Sequence, residues 1–261
     1  MKMGRLLVIA GSDSSGGAGI QVDLKTAQSF GVYAQTAITA VTVQNTLGVS
    51  AVNPVAPEIV SAQIAAALND IGADIIKIGM LGNGAIAAAV ADALETTDIP
   101  VVLDTVLLSS SGASLLDEAG ISILKKRLIR RAVLVTPNMP ETEALTGILP
   151  QSEHRLRNAA MVFKMLGSEG VLFKGGHGEG DMVRDVLWFG GDFVTFEAPR
   201  QATPHTHGTG CTLATAIACG LAQGRGMRDA VARAHVYVQA AIRTAPWLGQ
   251  GNGPLGHTVL S

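Results

Sequence analysis

Short β-branched runs alternate with longer alanine-rich stretches along most of this chain, and that alternation restricts its fold more than any other feature. Strand-length runs occupy residues 5–10, 34–43, 74–78, 100–104, 132–136 and 170–174. Helix-length patterns occupy 19–30, 56–71, 83–94, 115–129, 140–145 and 153–166. A strand that lies parallel to its predecessor needs a long crossover, normally a helix, so this order specifies βαβ units around a mainly parallel sheet. The order then changes. Runs 182–189 and 192–197, parted by Gly190-Gly191, read as an antiparallel hairpin at the sheet edge, and helices over 210–223 and 227–244 close the pattern. No low-complexity linker, charge block or fixed-period repeat intervenes. One doubly wound α/β domain over residues 1–261 is therefore expected, with helices on both faces of the sheet.

Composition narrows the partners. Hydrophobic residues make up 48% of the chain and charged ones 15%, so most elements are expected to be buried on more than one side. A formal charge of −2 gives no field that would draw a nucleic acid backbone or an anionic membrane. Any phosphate must then be held by local geometry. The apolar run after Arg5 ends at Ala10, too short for a signal peptide, and the longest apolar stretch, 213–222, is about half the roughly 20 residues of a membrane span. A soluble, cytoplasmic protein is expected. Cys211 and Cys219, if carried by one helix, lie about 12 Å apart, beyond disulfide range, and free thiols suit a reducing compartment.

Ligands of such sheets bind beyond the carboxyl ends of the strands, so the residues just after each strand carry the chemistry. Residues 11–19 read Gly-Ser-Asp-Ser-Ser-Gly-Gly-Ala-Gly. Gly17-Ala18 stand where a P-loop needs Lys-Ser/Thr, and the spacing is not that of a dinucleotide fingerprint; the segment serves equally as a tight strand-to-helix turn. Residues 206–212, Thr-His-Gly-Thr-Gly-Cys-Thr, open the apolar helix. A glycine loop there aims backbone N–H groups and the helix dipole at one anion, although the same glycines would also cap and turn the chain. Cys211 at such a helix start is expected to have a lowered thiol pKa if it is not an ordinary buried cysteine. Asp104, Asn138 and Glu141 follow two neighbouring strands and offer oxygen ligands of the kind magnesium takes; Asn138 and Glu141 also fit the cap and third residue of a helix opened by Pro140. Lys174 ends a strand ahead of Gly175-Gly176-His177, placed to neutralise phosphate or simply to face solvent. His177 and His207 lack partners at metal-ligand spacing and are read as loop hydrogen-bonding groups.

Taken together, residues 11–25, 39–46 (Thr-Ala-Val-Thr-Val-Gln-Asn-Thr), 77–81 (Lys-Ile-Gly-Met-Leu), 102–106 (Val-Leu-Asp-Thr-Val), 136–138 (Thr-Pro-Asn), 174–177 (Lys-Gly-Gly-His) and 207–212 resemble the hydroxymethylpyrimidine/phosphomethylpyrimidine kinases, in order from about Leu6 to His257. The resemblance implies a ribokinase-like fold, commonly dimeric, that uses ATP and Mg2+ to phosphorylate 4-amino-5-hydroxymethyl-2-methylpyrimidine and then its monophosphate. It places Gly11, Asp23, Gln44, Met80 and Val106 around the pyrimidine. Lys174, Gly208, Thr209, Gly210 and Cys211 fall at the transferred phosphate, with Cys211 as the base, and Asp104, Asn138 and Glu141 fall near magnesium. The Gln44 amide suits an aminopyrimidine edge, having both a donor and an acceptor. Ser110 stands where many relatives carry a lysine, so one phosphate contact of the family pattern has no lysine here. Segments 109–114, 177–181 and 201–205 are expected as lids. Pyridoxal kinase is the near alternative, a nicotinamide-dependent oxidoreductase and a non-catalytic pyrimidine-binding protein the remote ones.

Overall fold

The computed structural model describes residues 3–108, 112, 114–176 and 180–258. Its strands are β1 (Arg5–Asp13), β2 (Tyr33–Asn45), β3 (Gly48–Pro54), β4 (Ile75–Ile78), β5 (Val101–Leu103), β6 (Ala132–Val135), β7 (Gly170–Phe173), β8 (Met182–Phe189) and β9 (Asp192–Pro199). They form one sheet in the order β3-β2-β1-β4-β5-β6-β7-β8-β9. From β2 to β7 every pairing is parallel; β3 at one edge and β8 and β9 at the other run antiparallel.

The central strands are largely apolar, with Lys77 of β4 as a buried exception, because both faces are covered. Leu6, Leu7, Val8 and Ile9 of β1 are each 0% exposed. Alternation sends Leu6 and Val8 to one helical layer, with Ile217 and Val231, and sends Leu7 and Ile9 to the other, with Ile64 and Val90. The first layer holds α1 (Gly19–Ser29), α7 (Thr209–Ala222) and α8 (Met227–Arg243). The second holds α2 (Pro57–Asn69), α3 (Gly84–Leu94), α4 (Glu118–Ile123), α5 (Met139–Thr146) and α6 (Glu153–Met165). Each fully buried Leu or Ile stabilises this sandwich by about 1.5–3 kcal/mol. Among the described residues no helix is long and apolar enough to cross a membrane.

Two departures from the sequence pattern bear on the site. The helix expected over 115–129 begins only at Glu118, where the Asp117 carboxylate accepts from the Gly120 amide at 2.7 Å. Leu115 and Leu116 precede it in a loop and are buried, and the helix passes into a π turn over Leu124–Leu128 and a 3-10 turn over Ile129–Arg131. In addition β2 continues past the core to Asn45 and pairs with β3, a strand that Gly48, Asn53 and Pro54 hide in the sequence. The resulting arm carries Gln44 near its tip.

Candidate active site

A cavity of about 640 Å³ opens where the carboxyl ends of the parallel strands meet the start of α7. Gly11, Gln44, Met80 and Val106 line one end of it; Asp104, Glu141, Lys174 and the 208–211 loop lie along it.

At the first end, β1 bulges between Ala10 and Ser12 as it leaves the core, turning residues 11–19 over the cavity. Gly11 packs so closely on Met80 that a Cβ would come 2.9 Å from its sulfur. Asp13 organises the loop. Its Oδ1 accepts from the Ser15 amide, and its Oδ2 accepts from the Ser15 hydroxyl and the Ala18 amide, all at 2.8 Å. His207 Nε2 stands 3.0 Å from the same Oδ2 and 3.1 Å from Gln44 Nε2. Burial pushes the Asp13 carboxyl up, but the hydrogen bonds from His207 and Ser15 outweigh it and leave the group below the usual carboxylate range. His207 is therefore a loop hydrogen-bonding residue, as expected.

At the centre, Gly208 caps α7 at φ +81°, and the first intrahelical bond runs from the Thr212 amide to the Gly208 carbonyl at 2.9 Å. The Gly210 and Cys211 amides precede that bond, so they are left to a ligand. A Cβ on Gly210 would lie 3.3 Å from Lys174 Nζ and 3.8 Å from Asp104 Oδ2, which brings the helix start and the ion pair onto one spot. Lys174 Nζ donates to Asp104 Oδ1 at 2.8 Å and reaches Glu141 Oε2 at 3.7 Å. Burial raises the Asp104 carboxyl, but the Lys174 and Lys77 charges win and hold it low; burial prevails at Glu141, which is raised.

Two expectations need correction, and a third residue has a further role. Asn138 lines the cavity and also forms a capping box with Glu141 at the start of α5: its oxygen accepts from the Glu141 amide, and Glu141 Oε2 accepts from the Asn138 amide, both at 2.8 Å. Asp23 does not line the cavity. It lies 0% exposed behind it, where both its oxygens accept from Lys77 Nζ at 3.0 and 2.9 Å and one accepts from Thr215 at 2.6 Å. The Cys211 thiol is not acidic: burial pushes it up to about 11, with Asp23 and Asp104 adding to the rise and Lys77 opposing it. At a helix start the amides favour thiolate, but desolvation here is the larger effect.

Other groups emerge only in three dimensions. Beyond Lys174 the cavity continues between β8 and α8, where Asp185 Oδ1 accepts from the Gly175 amide at 2.8 Å. His235 faces Asp185 at 3.8 Å, and its buried Nε2 has no hydrogen-bond partner among the described residues. The signal for these two was a polar residue at an inward position of β8 and an i, i+3, i+4 stripe on α8. Of the expected lids, segment 201–205 is tied to α8 by Gln201 Nε2, which donates to the Gln239 carbonyl at 2.9 Å. Residues 109–111, 113 and 177–179, which include Ser110 and His177, lie outside the described residues.

Residues 13–256 match the family model described as phosphomethylpyrimidine kinase. The chain is 44% identical over 262 residues to the hydroxymethylpyrimidine/phosphomethylpyrimidine kinase of Haemophilus influenzae, covering 98% of this chain and 97% of that one. It is 48% identical over 258 residues to the thiamine biosynthesis bifunctional protein ThiED of Geobacter sulfurreducens, covering 98% of this chain but only 52% of that protein, so it spans about half its length. Among solved structures, the ADP complex of Bacillus subtilis pyridoxal kinase superposes with a TM-score of 0.91 at 34% identity, covering 99% of both chains.

Proposed function

Because the chain belongs to the phosphomethylpyrimidine kinase family, we propose that this cavity moves a phosphoryl group from ATP to a hydroxymethylpyrimidine through the residues just described. The enzyme is a phosphotransferase of ribokinase-like fold. It converts 4-amino-5-hydroxymethyl-2-methylpyrimidine to its monophosphate and that to the diphosphate, in thiamine biosynthesis. The observation that carries the residue roles is the meeting of the α7 amides, Lys174 and Asp104 on one spot, in a cavity that Gln44 also lines.

Phosphoryl transfer through a loose transition state asks for positioning and charge stabilisation rather than covalent chemistry. The Gly210 and Cys211 amides and the α7 dipole hold the transferred group, and Lys174 neutralises it. Gln44 reads the ring edge, and Met80, Val106 and Gly11 flank the ring. Cys211, a neutral thiol at neutral pH, shapes the acceptor pocket rather than serving as a ready base. Asp104 and Glu141 fit a hard cation, since two carboxylates sharing one ammonium within 4 Å match the one or two that magnesium takes beside phosphates. They would hold Mg2+, which would offset phosphate charge.

Residues 1–261 act as one kinase domain, a reading supported by the single continuous sheet. A cytoplasmic homodimer is part of the same proposal; the arm of β2 and β3 leaves Val41, Val43 and Leu47 more than half exposed, which suits burial against a second copy. The likeness to a pyridoxal kinase keeps that activity as the second reading. A coupled assay of ADP release with the hydroxymethylpyrimidine, its phosphate and pyridoxal separates them. The pyrimidines should have the higher kcat/KM; a higher value for pyridoxal would reverse the order.

A further inference from the structure

We infer that His207, fixed by Asp13, sets which way round the Gln44 amide points and thereby which way round the pyrimidine lies. This rests on the reading of Gln44 as the residue that takes the ring edge. Asp13 accepts hydrogen bonds from the Ser15 amide, the Ser15 hydroxyl and the Ala18 amide, so it faces His207 as an acceptor. Nε2 of His207, 3.0 Å away, must then carry a hydrogen, in the neutral Nε2–H tautomer and in the imidazolium alike. The same Nε2 lies 3.1 Å from Gln44 Nε2, so one donor meets another. On the other side of the amide, Gln44 Oε1 lies 3.3 Å from the Thr42 hydroxyl. That hydroxyl has one hydrogen and lies closer to the Ser12 carbonyl, at 3.0 Å; given there, the hydrogen leaves the Thr42 oxygen facing Gln44 Oε1 as acceptor against acceptor.

One half-turn of the carboxamide relieves both contacts. Gln44 Oε1 then shares the single Nε2 hydrogen of His207 with Asp13 in a three-centre bond, and Gln44 Nε2 donates to the Thr42 oxygen. The backbone need not move, since the Gln44 amide and carbonyl are both pinned by the Ser14 hydroxyl at 2.9 and 2.7 Å. In this setting the outer edge of the amide offers an acceptor on the His207 side and a donor on the Thr42 side. The 4-amino group of the substrate pairs with the first and ring N3 with the second. The 5-hydroxymethyl group adjoins the 4-amino group, so it falls on the His207 side, next to the Gly208 to Cys211 loop. With the amide the other way round, the hydroxymethyl group would point away from the phosphate. His207 and Asp13 are thus positioning residues for substrate orientation.

The test compares the 4-amino substrate with its 4-oxo analogue, whose N3–H and C4=O invert the donor and acceptor. Wild type should favour the amine in kcat/KM by about 10²-fold or more, because a site built for one pattern leaves polar groups unpaired with the other. His207→Phe, which keeps a ring and removes both nitrogens, should cut that ratio at least tenfold while the KM for ATP stays within about twofold. Thr42→Val, which leaves His207 in place, should cut it in the same direction by less, and covers the case in which His207→Phe does not fold. Equal losses on amine and oxo substrates, with the ratio intact, would overturn the inference and leave His207 a packing residue. A wild type that phosphorylates neither pyrimidine would instead overturn the assignment of the ring edge to Gln44, and this inference with it.

Discussion

Replacing Gly208 by alanine adds one methyl group, and the structure sets what that methyl must do. At φ +81° a Cβ is strained by about 1–2 kcal/mol. It would also lie 2.0 Å from the Gly17 carbonyl oxygen, where real Cβ contacts essentially never fall below 3.0 Å. The 206–212 loop and the 11–19 loop must therefore separate by about 1 Å, and a displacement of that size at a catalytic constellation costs on the order of 10²-fold in rate. Gly224 supplies the control: its φ is +78°, and a Cβ there meets nothing within 4 Å. Gly224→Ala should carry the strain alone, lowering Tm by about 2–8 °C with kcat/KM near wild type. Gly208→Ala should lower Tm comparably or more and kcat/KM by about 10²-fold, read in the coupled assay alongside thermal melts. If Gly208→Ala kept kcat/KM within about threefold of wild type, the contact between the two loops would not be what builds the site.

Alkylation of Cys211 by iodoacetamide should be slow at pH 7 and rise about tenfold per pH unit toward pH 10, because its thiol is pushed up to about 11; a midpoint at or below 8.5 would restore it as a ready base. Lys77→Met leaves the Asp23 carboxylate buried without its ammonium and should destabilise the protein by about 3–5 kcal/mol, whereas Lys77→Met with Asp23→Leu should recover most of that in a urea melt. No recovery in the double variant would mean that Lys77 acts through packing alone. Glu141→Gln keeps an oxygen for the Asn138 amide but removes the charge, so the fold should persist while the magnesium concentration for half-maximal rate rises at least severalfold. An unchanged magnesium profile would leave Glu141 a capping residue only.

The βαβ order was legible because buried parallel strands leave near-continuous apolar runs, and the crossovers that join them are long enough to show a helical period. The strand β3 was not: residues 48–54 are mostly exposed on an arm, and no core demanded β-branched residues there. Leu115 and Leu116 mimic the start of a helix but fill the core and the cavity wall, while Asp117 caps the true start. The glycine loops and Lys174 could be read locally, since a helix N-terminus is a local structure with a local chemistry. Asp23 could not, because its partners Lys77 and Thr215 lie 54 and 192 positions away and only the fold turns it inward. Cys211 failed for a related reason. A helix start favours thiolate, but the sequence does not display the burial or the two carboxylates that overrule it.

The contact between His207 and Asp13 joins residues 194 positions apart, and the Gly17 carbonyl abuts Gly208 across a similar interval. Translation therefore delivers the two halves of the pocket at opposite ends of synthesis. A nascent chain that has emerged through β7 has every parallel strand of the sheet but no anion loop to set against residues 11–19. Any frameshift or premature stop upstream of residue 207 should then yield a null allele rather than a weakened one. The same interval invites a split enzyme cut at the exposed Gly190-Gly191 turn. Neither fragment would hold a pocket, and phosphorylation would report their reunion.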